Sequence, residues 1–293
     1  MNAVLIVDKP AGFTSHDLVA RVRRILGQRA VGHLGTLDPM ATGILPLVLG
    51  NMTRLAQFYL ASDKSYEGVI KFGFATDTYD AEGEATTEER ECSLSLDQLL
   101  ALGRKFQGSM EQVPPPFSAK KIHGVPAYQL ARKKKEVQLK PVHVEVKQFE
   151  ILDLEKGCAR FCARVSSGTY LRSIAHDLGQ AAGCGAHLLS LRRTAVAEFS
   201  LIDAHSLEQI EQAAWGSEEE KQSLFIHPRK LLPQLPSVSV ADDAVARIRH
   251  GQAVNLPDFS SARQVKVFLG QRELIAIATR VAGTLFHPRI VLA

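Results

Sequence analysis

A chain of 293 residues, 45% hydrophobic and 23% charged, can bury a substantial core as one large domain and one small one. Its net charge of +4 permits a nucleic-acid partner without requiring one. No apolar stretch reaches the length of a membrane span, the N-terminus MNAVLIVDKP lacks the basic start and long apolar run of a signal peptide, and Cys92, Cys158, Cys162 and Cys184 show no CxxC or metal spacing, so reduced thiols in the cytoplasm are expected.

Residues 3–7 form a β-prone apolar run, and Asp8-Lys9-Pro10-Ala11-Gly12 is a turn. Thr14 or Ser15 can cap a helix with Asp17 in its first turn, followed by Leu18, Val19, Val22, Ile25 and Leu26 at helical spacing up to Gly27. Residues 32–50 then read GHLGTLDPMATGILPLVLG. This segment holds one carboxylate, Asp38, among glycines that free the backbone, and Pro39 biases Asp38 away from helix. Ile44 to Leu49 is a short apolar run that fits a buried strand. The residues themselves allow two readings: a functional acid on a shaped loop backed by core, or a turn aspartate bonded to its own backbone.

The stretch fits G-H-x-G-T/A-L-D-P-x-A-T-G at every fixed position, with Leu34 at a variable one. It resembles the catalytic loop of the TruB-type pseudouridine synthases, which isomerise uridine in the T-loop of tRNA through an essential aspartate. The resemblance gives Asp38 that role and places His33 to fill or stack in the gap left by an extruded uridine. The DKPxGxTSxD pattern before it resembles the family's first motif, which implies that Lys9 and Pro10 shape the floor of the site and puts Lys9 among the substrate-binding groups.

Thr53 to Leu60 reads as a short helix, and Ser65 to Phe72 alternates as a strand. Tyr66, near the start of that strand, would by itself be packing, but the K-x-Y…F-G-x-x-T-D-T-x-D-x-x-G pattern resembles a family motif whose tyrosine lines the catalytic pocket. Tyr66 is then a catalytic candidate, stacking on a base or moving a proton. From Asp77 to Glu91, seven acids face one basic residue, Arg90, which reads as solvated surface. Leu94 to Phe106 has helical periodicity.

Pro114-Pro115-Pro116 rules out helix and favours an extended path. From Ser118 to Lys140, seven Lys/Arg face one acid, Glu136, and Tyr128 to Arg132 begins a short helix carrying that run. The resemblance makes residues of about 113–141 an inserted lobe that clamps tRNA, with Lys133 and Lys134 on phosphates. Ala119-Lys120-Lys121 stands where the family more usually has A-L-K. His123 and His143 are isolated and read as surface or RNA-facing.

Val142 to Leu152 and Ala159 to Val165 alternate like adjacent strands. SSGTYLRSIAHDLG, residues 166–179, bends at Gly168 and Thr169 and continues as a helix from Tyr170 to Leu178. It resembles the S-x-G-T-Y-[IL]-R motif that faces the catalytic loop. Arg172 would pair with Asp38, and Tyr170 would contact substrate. AHLLSLRRT, residues 186–194, matches a family strand in which Leu191 gives an apolar wall and Arg192 a cation near the substrate. Glu218-Glu219-Glu220 reads as an exposed loop, and Trp215 as packing. A boundary falls between Pro228 and Pro236. Residues 237–293 show a helix from Ala241 to His250 and strand-like runs at Val265–Leu269, Leu274–Thr279 and Ile290–Leu292. They resemble a PUA-type RNA-binding β-barrel.

Together these motifs imply an α/β (α+β) pseudouridine synthase fold. Its mixed, mainly antiparallel sheet is flanked by helices in a catalytic domain of residues 1–232, ahead of the PUA-like domain. They imply a monomeric tRNA pseudouridine-55 synthase acting on the T-arm, with no cofactor, no metal, no membrane and no required protein partner. Asp38 would attack the sugar C1′, attack the base C6, or take a sugar proton toward a glycal, and the sequence does not choose among these. Three competitors remain: a non-catalytic RNA-binding protein, a glycoside hydrolase needing a second acid such as Asp77, and a guide-RNA-dependent, dyskerin-like branch. The first would have lost Asp38, Tyr66 or Arg172, and the last generally lacks the basic lobe.

Overall fold

The computed structural model describes residues 1–118, 120–122, 124–131, 133 and 139–292. Strand β1 (Ala3–Lys9) is buried along its length, as a Val/Ile/Leu run should be in the middle of a sheet. Helix α1 (Ser15–Leu26) starts at Thr14, whose side chain accepts from the Asp17 N–H while Asp17 accepts from the Thr14 N–H. It stops at Gly27, which is left-handed at φ 59°. Short β2 (Val31–His33) and long β3 (Thr42–Leu49) flank the loop carrying Asp38. Pro46 sits inside β3, yet its carbonyl accepts from Leu34 on the side where β2 has already ended. The missing N–H therefore costs no ladder bond.

Thr53 to Leu60, expected as a short helix, falls in a 3₁₀ segment (Gly50–Leu55) and a single α turn, α2 (Ala56–Tyr59). Next come β4 (Lys64–Phe72), α3 (Leu96–Gly103), β5 (Gly108–Gln112), the two-residue β6 (Lys121–Ile122) and β7 (Val125–Pro126), and α4 (Ala127–Ala131). The hairpin of β8 (Val142–Glu155) and β9 (Cys158–Val165) leads into α5 (Leu171–Ala182) and β10 (Ala186–Val196). A Cβ on Gly179 would lie 2.1 Å from the Ala186 nitrogen, so α5 can pack this closely on β10 only with glycine there. Then follow β11 (Phe199–Ser200), β12 (Ala204–His205), α6 (Leu207–Trp215) and α7 (Glu218–Ser223). Glu218-Glu219-Glu220 is thus helical rather than loop, because Ser217 and Glu220 form a capping box. Trp215 is 85% exposed at the end of α6 rather than packed.

The main sheet runs β12-β1-β3-β10-β4-β9-β8-β5, with β2 added on β3 and β11 on β10. Only β1–β12 and β3–β10 are parallel, so the sheet is mixed and mainly antiparallel. One face packs on α1, α3, α5 and α6 through Leu18, Val22, Leu99, Ile174, Leu178 and Ile210. The chain closes with β13 (Ser237–Val240), α8 (Asp242–Arg249), β14 (Val254–Asn255), β15 (Gln264–Leu269), β16 (Glu273–Ala282) and β17 (Leu285–Val291). These strands form a second sheet, β13-β15-β16-β17-β14, whose inner face packs on Val245 and Ile248 of α8. Strand β13 has no counterpart in the sequence reading.

The other face of the second sheet carries Phe268, Leu274, Ile277 and Ile290 into one core with Val4, Ile6, Ile44, Val48 and Phe199. The connecting segment is fastened as well. The Leu232 N–H and the Tyr59 hydroxyl both donate to Glu198 Oε1, at 2.8 and 2.7 Å, and Lys266 Nζ donates to the Leu231 carbonyl at 2.6 Å.

Candidate active site

Asp38 lies on the loop between β2 and β3, with about a third of its side chain open to solvent. A side-chain hydroxyl, a lysine and a backbone bond hold that loop. Ser15, buried at the start of α1, accepts from the Leu37 N–H at 2.8 Å and donates back to the Leu37 carbonyl at 3.1 Å. Lys9 at the end of β1 donates to the carbonyls of Pro10, Phe13 and Pro39 at 2.7 to 3.0 Å. The Gly12 N–H also donates to Pro39 O, at 2.9 Å. Lys9 is fully buried and its three donors are spent on carbonyls. It therefore braces the floor of the site.

Arg172, in the first turn of α5, meets the Asp38 carboxylate with two nitrogens. Its Nη2 donates to Oδ1 at 2.9 Å, and its Nε lies 2.8 Å from Oδ2 at an angle too poor for a second good hydrogen bond. Its side chain is only 6% exposed, so water screens the pair little. The remaining donors reach the carbonyls of Thr78 and Phe117, both at 3.1 Å, and Nη1 lies 3.4 Å from Asp80 Oδ2. One guanidinium thus serves two carboxylates and two carbonyls, which only its planar fork allows. Asp80 is buried and fastened further by the Thr78 hydroxyl at 2.6 Å. The neighbouring Glu82 carboxyl is pushed up, first by burial and then by the charges of Asp80 and Asp38.

Tyr170 caps α5 in an extended conformation and is locked to buried Gln112 by a two-way amide pair, at 2.8 and 2.9 Å. Burial pushes its phenol up, opposed by the Ser118 hydroxyl and then by the Arg172 charge. Leu191 is buried on β10 opposite Gly68 of β4, as an apolar wall requires. Half-buried Tyr66 sits on β4 between Ala163 of β9 and Arg193 of β10. His33 ends β2, where burial and then the Arg193 charge hold its imidazole below the ordinary value, so it is neutral at pH 7. Its Nδ1 is buried without a partner among the described residues.

Arg192 points away from this cluster. It forms a bidentate pair with Asp8, at 2.7 and 3.1 Å, beside a cavity of about 250 Å³ that Thr42 and Ser206 also line. Lys133 is exposed beyond α4; Arg132, Lys134, Lys135 and His123 lie outside the described residues. Among the described residues no three His, Cys, Asp or Glu side chains could hold a metal ion, and no helix is long and apolar enough to cross a membrane. A cavity of about 670 Å³, lined by Met1, Lys221, His227 and Arg272 among others, shares no residue with the Asp38 cluster.

The sequence reading missed Asp80, Ser15, Gln112 and Arg193. Asp80 was hidden among six other acids, although its T-D-T-x-D setting was a signal. Arg193 follows buried Leu191 by two residues in a strand and so shares its inward side, a period that was available in the sequence. What results is a partly open carboxylate on a braced loop, held by a buried arginine. Such a group can act as nucleophile or base toward a planar ring and its sugar.

Comparison with known proteins points the same way. Residues 23–171 match the TruB family pseudouridylate synthase (N terminal domain), and residues 172–235 match the tRNA pseudouridylate synthase B C-terminal domain. A protein of Solibacter usitatus named tRNA pseudouridine synthase B is 48% identical over all of both chains. One of the same name from Ralstonia nicotianae is 39% identical over 99% of this chain and 94% of its own. Among solved structures, a chain of an H/ACA ribonucleoprotein bound to a substrate RNA containing 2′-deoxyuridine superposes with a TM-score of 0.73 at 25% identity, covering 99% of this chain and 85% of that one.

Proposed function

The chain belongs to the TruB family of pseudouridylate synthases, and on that premise we propose that it isomerises uridine to pseudouridine in the T-loop of tRNA, with Asp38 as the essential group. The observation that carries this reading is the Asp38–Arg172 pair on a loop braced by Ser15 and Lys9. The uridine is stacked in folded tRNA, so it must be extruded, at a cost of roughly a few kcal/mol. Neutral His33 beside the loop suits stacking in the vacated space. Asp38 then acts at the nucleoside while Leu191, Tyr66 and Tyr170 enclose the ring. The N1–C1′ bond breaks, the base turns, and a C5–C1′ bond forms as the C5 proton leaves and N1 gains one. The electrons balance without an oxidant.

Full-length likeness to relatives named for tRNA, at 48% identity, favours a stand-alone tRNA enzyme over a guide-dependent one. So does the basic run from Ser118 to Lys140. We place it in the cytoplasm as a monomer that needs no protein partner. Its four free cysteines agree with that compartment.

The test is release of tritium from tRNA labelled at uridine C5, by purified protein without added metal. Wild type should release the label. Asp38→Asn keeps the shape and removes the charge, so it should be inactive while still folded and still binding tRNA. Turnover of the variant within about tenfold of wild type, equivalent to about 1.4 kcal/mol of barrier, would remove Asp38 from its role.

A further inference from the structure

We propose that Arg193 is a positioning residue of this reaction, a staple that closes the Asp38 loop from behind and sets where the carboxylate points. The proposal rests on the synthase reading above and adds to it a residue that touches no reacting atom.

Arg193 is 1% exposed, among the largest fully buried side chains. Its Nε donates to the Ile44 carbonyl at 2.8 Å, its Nη1 to Thr36 at 3.2 Å and its Nη2 to Gly35 at 3.2 Å. Those acceptors lie on both sides of Asp38: Gly35 and Thr36 just before it, Ile44 where β3 is under way. One rigid planar group therefore fixes the two ends of the loop to each other. Ser15 and Lys9 tie the middle of the loop, at Leu37 and Pro39, to the α1 side of the site. Arg193 ties its ends to β10, the strand that carries Leu191. Floor and wall are joined through this side chain.

Two features argue that this is more than packing. Among the described residues no carboxylate pairs with Arg193, and its donors meet only neutral carbonyls. A buried cation without a counter-ion is costly, and an apolar residue of similar volume would avoid that cost. The cost is compounded by Lys64, also buried, whose Cε lies 3.6 Å from where a Gly35 Cβ would be, with Arg193 Nη1 at 3.9 Å from the same point. The approach is also tight. A Cβ on Gly43, which pairs with Arg193 across the strands, would lie 2.2 Å from the Arg193 carbonyl oxygen. The strand carrying the staple and the strand leaving the loop approach too closely at this point for any residue but glycine.

The test compares Arg193→Lys, which keeps the charge and loses the fork, with Arg193→Met, which loses both. Four quantities are read for each: melting temperature, tRNA dissociation constant, single-turnover rate on saturating tRNA, and hydrogen exchange of the amides of residues 35–44. For Arg193→Lys we expect a folded protein with tRNA affinity within about twofold of wild type, faster exchange confined to the loop, and a rate lowered about 10- to 100-fold, the scale set by misplacing a reacting group by an ångström. Arg193→Met should be slower still. A folded Arg193→Lys variant with an unchanged rate and loop exchange would overturn the proposal. So would a rate loss no larger than the loss of affinity, or failure of both variants to fold, since Arg193 would then serve stability alone. Exchange of the loop amides needs no activity, so it judges the staple even if wild-type protein proves silent on tRNA.

Discussion

Asp38 shares Arg172 with Asp80, so the orientation of the partly open carboxylate depends on a buried one. Lys9 shows the same division of labour. Burial pushes its ammonium down to about 8 from an ordinary 10.5, with the Asp38 charge pulling the other way. The unfolded chain therefore holds the Lys9 proton through a window, about pH 8 to 10.5, in which the folded chain has released it. Where the unfolded state binds more protons, stability rises with pH. Lys9 thus costs stability at and below pH 8, and that cost is relieved as pH rises through the window. Lys64, likewise lowered to about 8 by burial and by Arg193, adds in the same direction. Denaturant unfolding of wild type and of Lys9→Met between pH 7 and 10 should show the difference between their stabilities shifting toward wild type as pH rises. Parallel curves would mean that Lys9 holds its proton as readily folded as unfolded.

At the scale of elements, the strands and helices that carry the site follow from patterns visible in the sequence. The Thr14–Asp17 box and Gly27 bound α1, and two-residue alternation marks β4, β8 and β9. The Asp38 loop, Tyr170 and Arg172 were legible because the chemistry sits in contiguous motifs. Asp80 and Gln112 were not, because their meaning lies in partners more than 50 residues away, Arg172 for Asp80 and Tyr170 for Gln112. Trp215 misled because large aromatic rings are usually buried, and nothing near it in sequence marks an exposed helix end. Gly43 reads in sequence as an ordinary turn glycine, yet its φ of 97° and its closeness to the Arg193 backbone leave no room for a side chain there. Gly43→Ala must both strain the backbone and push those strands apart. We expect a loss of about 3 kcal/mol or more, in the range of the severe single substitutions, read as a lowered denaturation midpoint. A loss under about 1 kcal/mol would show that the two strands separate easily.

At the scale of the molecule, surface charge and buried core can be tested separately. Lys133, Lys134 and Lys135 form the densest basic run, and the phosphate binding such a run supplies is salt-dependent. Replacing all three with alanine should weaken tRNA binding and flatten its salt slope by roughly one for each phosphate no longer neutralised, with little effect on the chemical step at saturation. An unchanged slope would make the run plain solvated surface. The C-terminal sheet is a different matter. A PUA-like appendage joined by a Pro-rich linker would be expected to come off cleanly. Here its outer face is part of the core behind the Asp38 loop, where Phe268, Leu274, Ile277 and Ile290 meet Val4, Ile6, Ile44 and Phe199. The connecting segment is nailed down by Glu198 and by Lys266. Removing residues 237–293 would bare that face and leave the Leu231 carbonyl without its buried lysine. Each large side chain so exposed forfeits about 1.5–3 kcal/mol, which for several of them rivals the whole stability of a domain. The truncated chain should therefore melt far below wild type or aggregate, before any question of RNA affinity arises. A truncation that melts within a few degrees of wild type and is merely weaker on tRNA would show the C-terminal sheet to be a separable binding module after all.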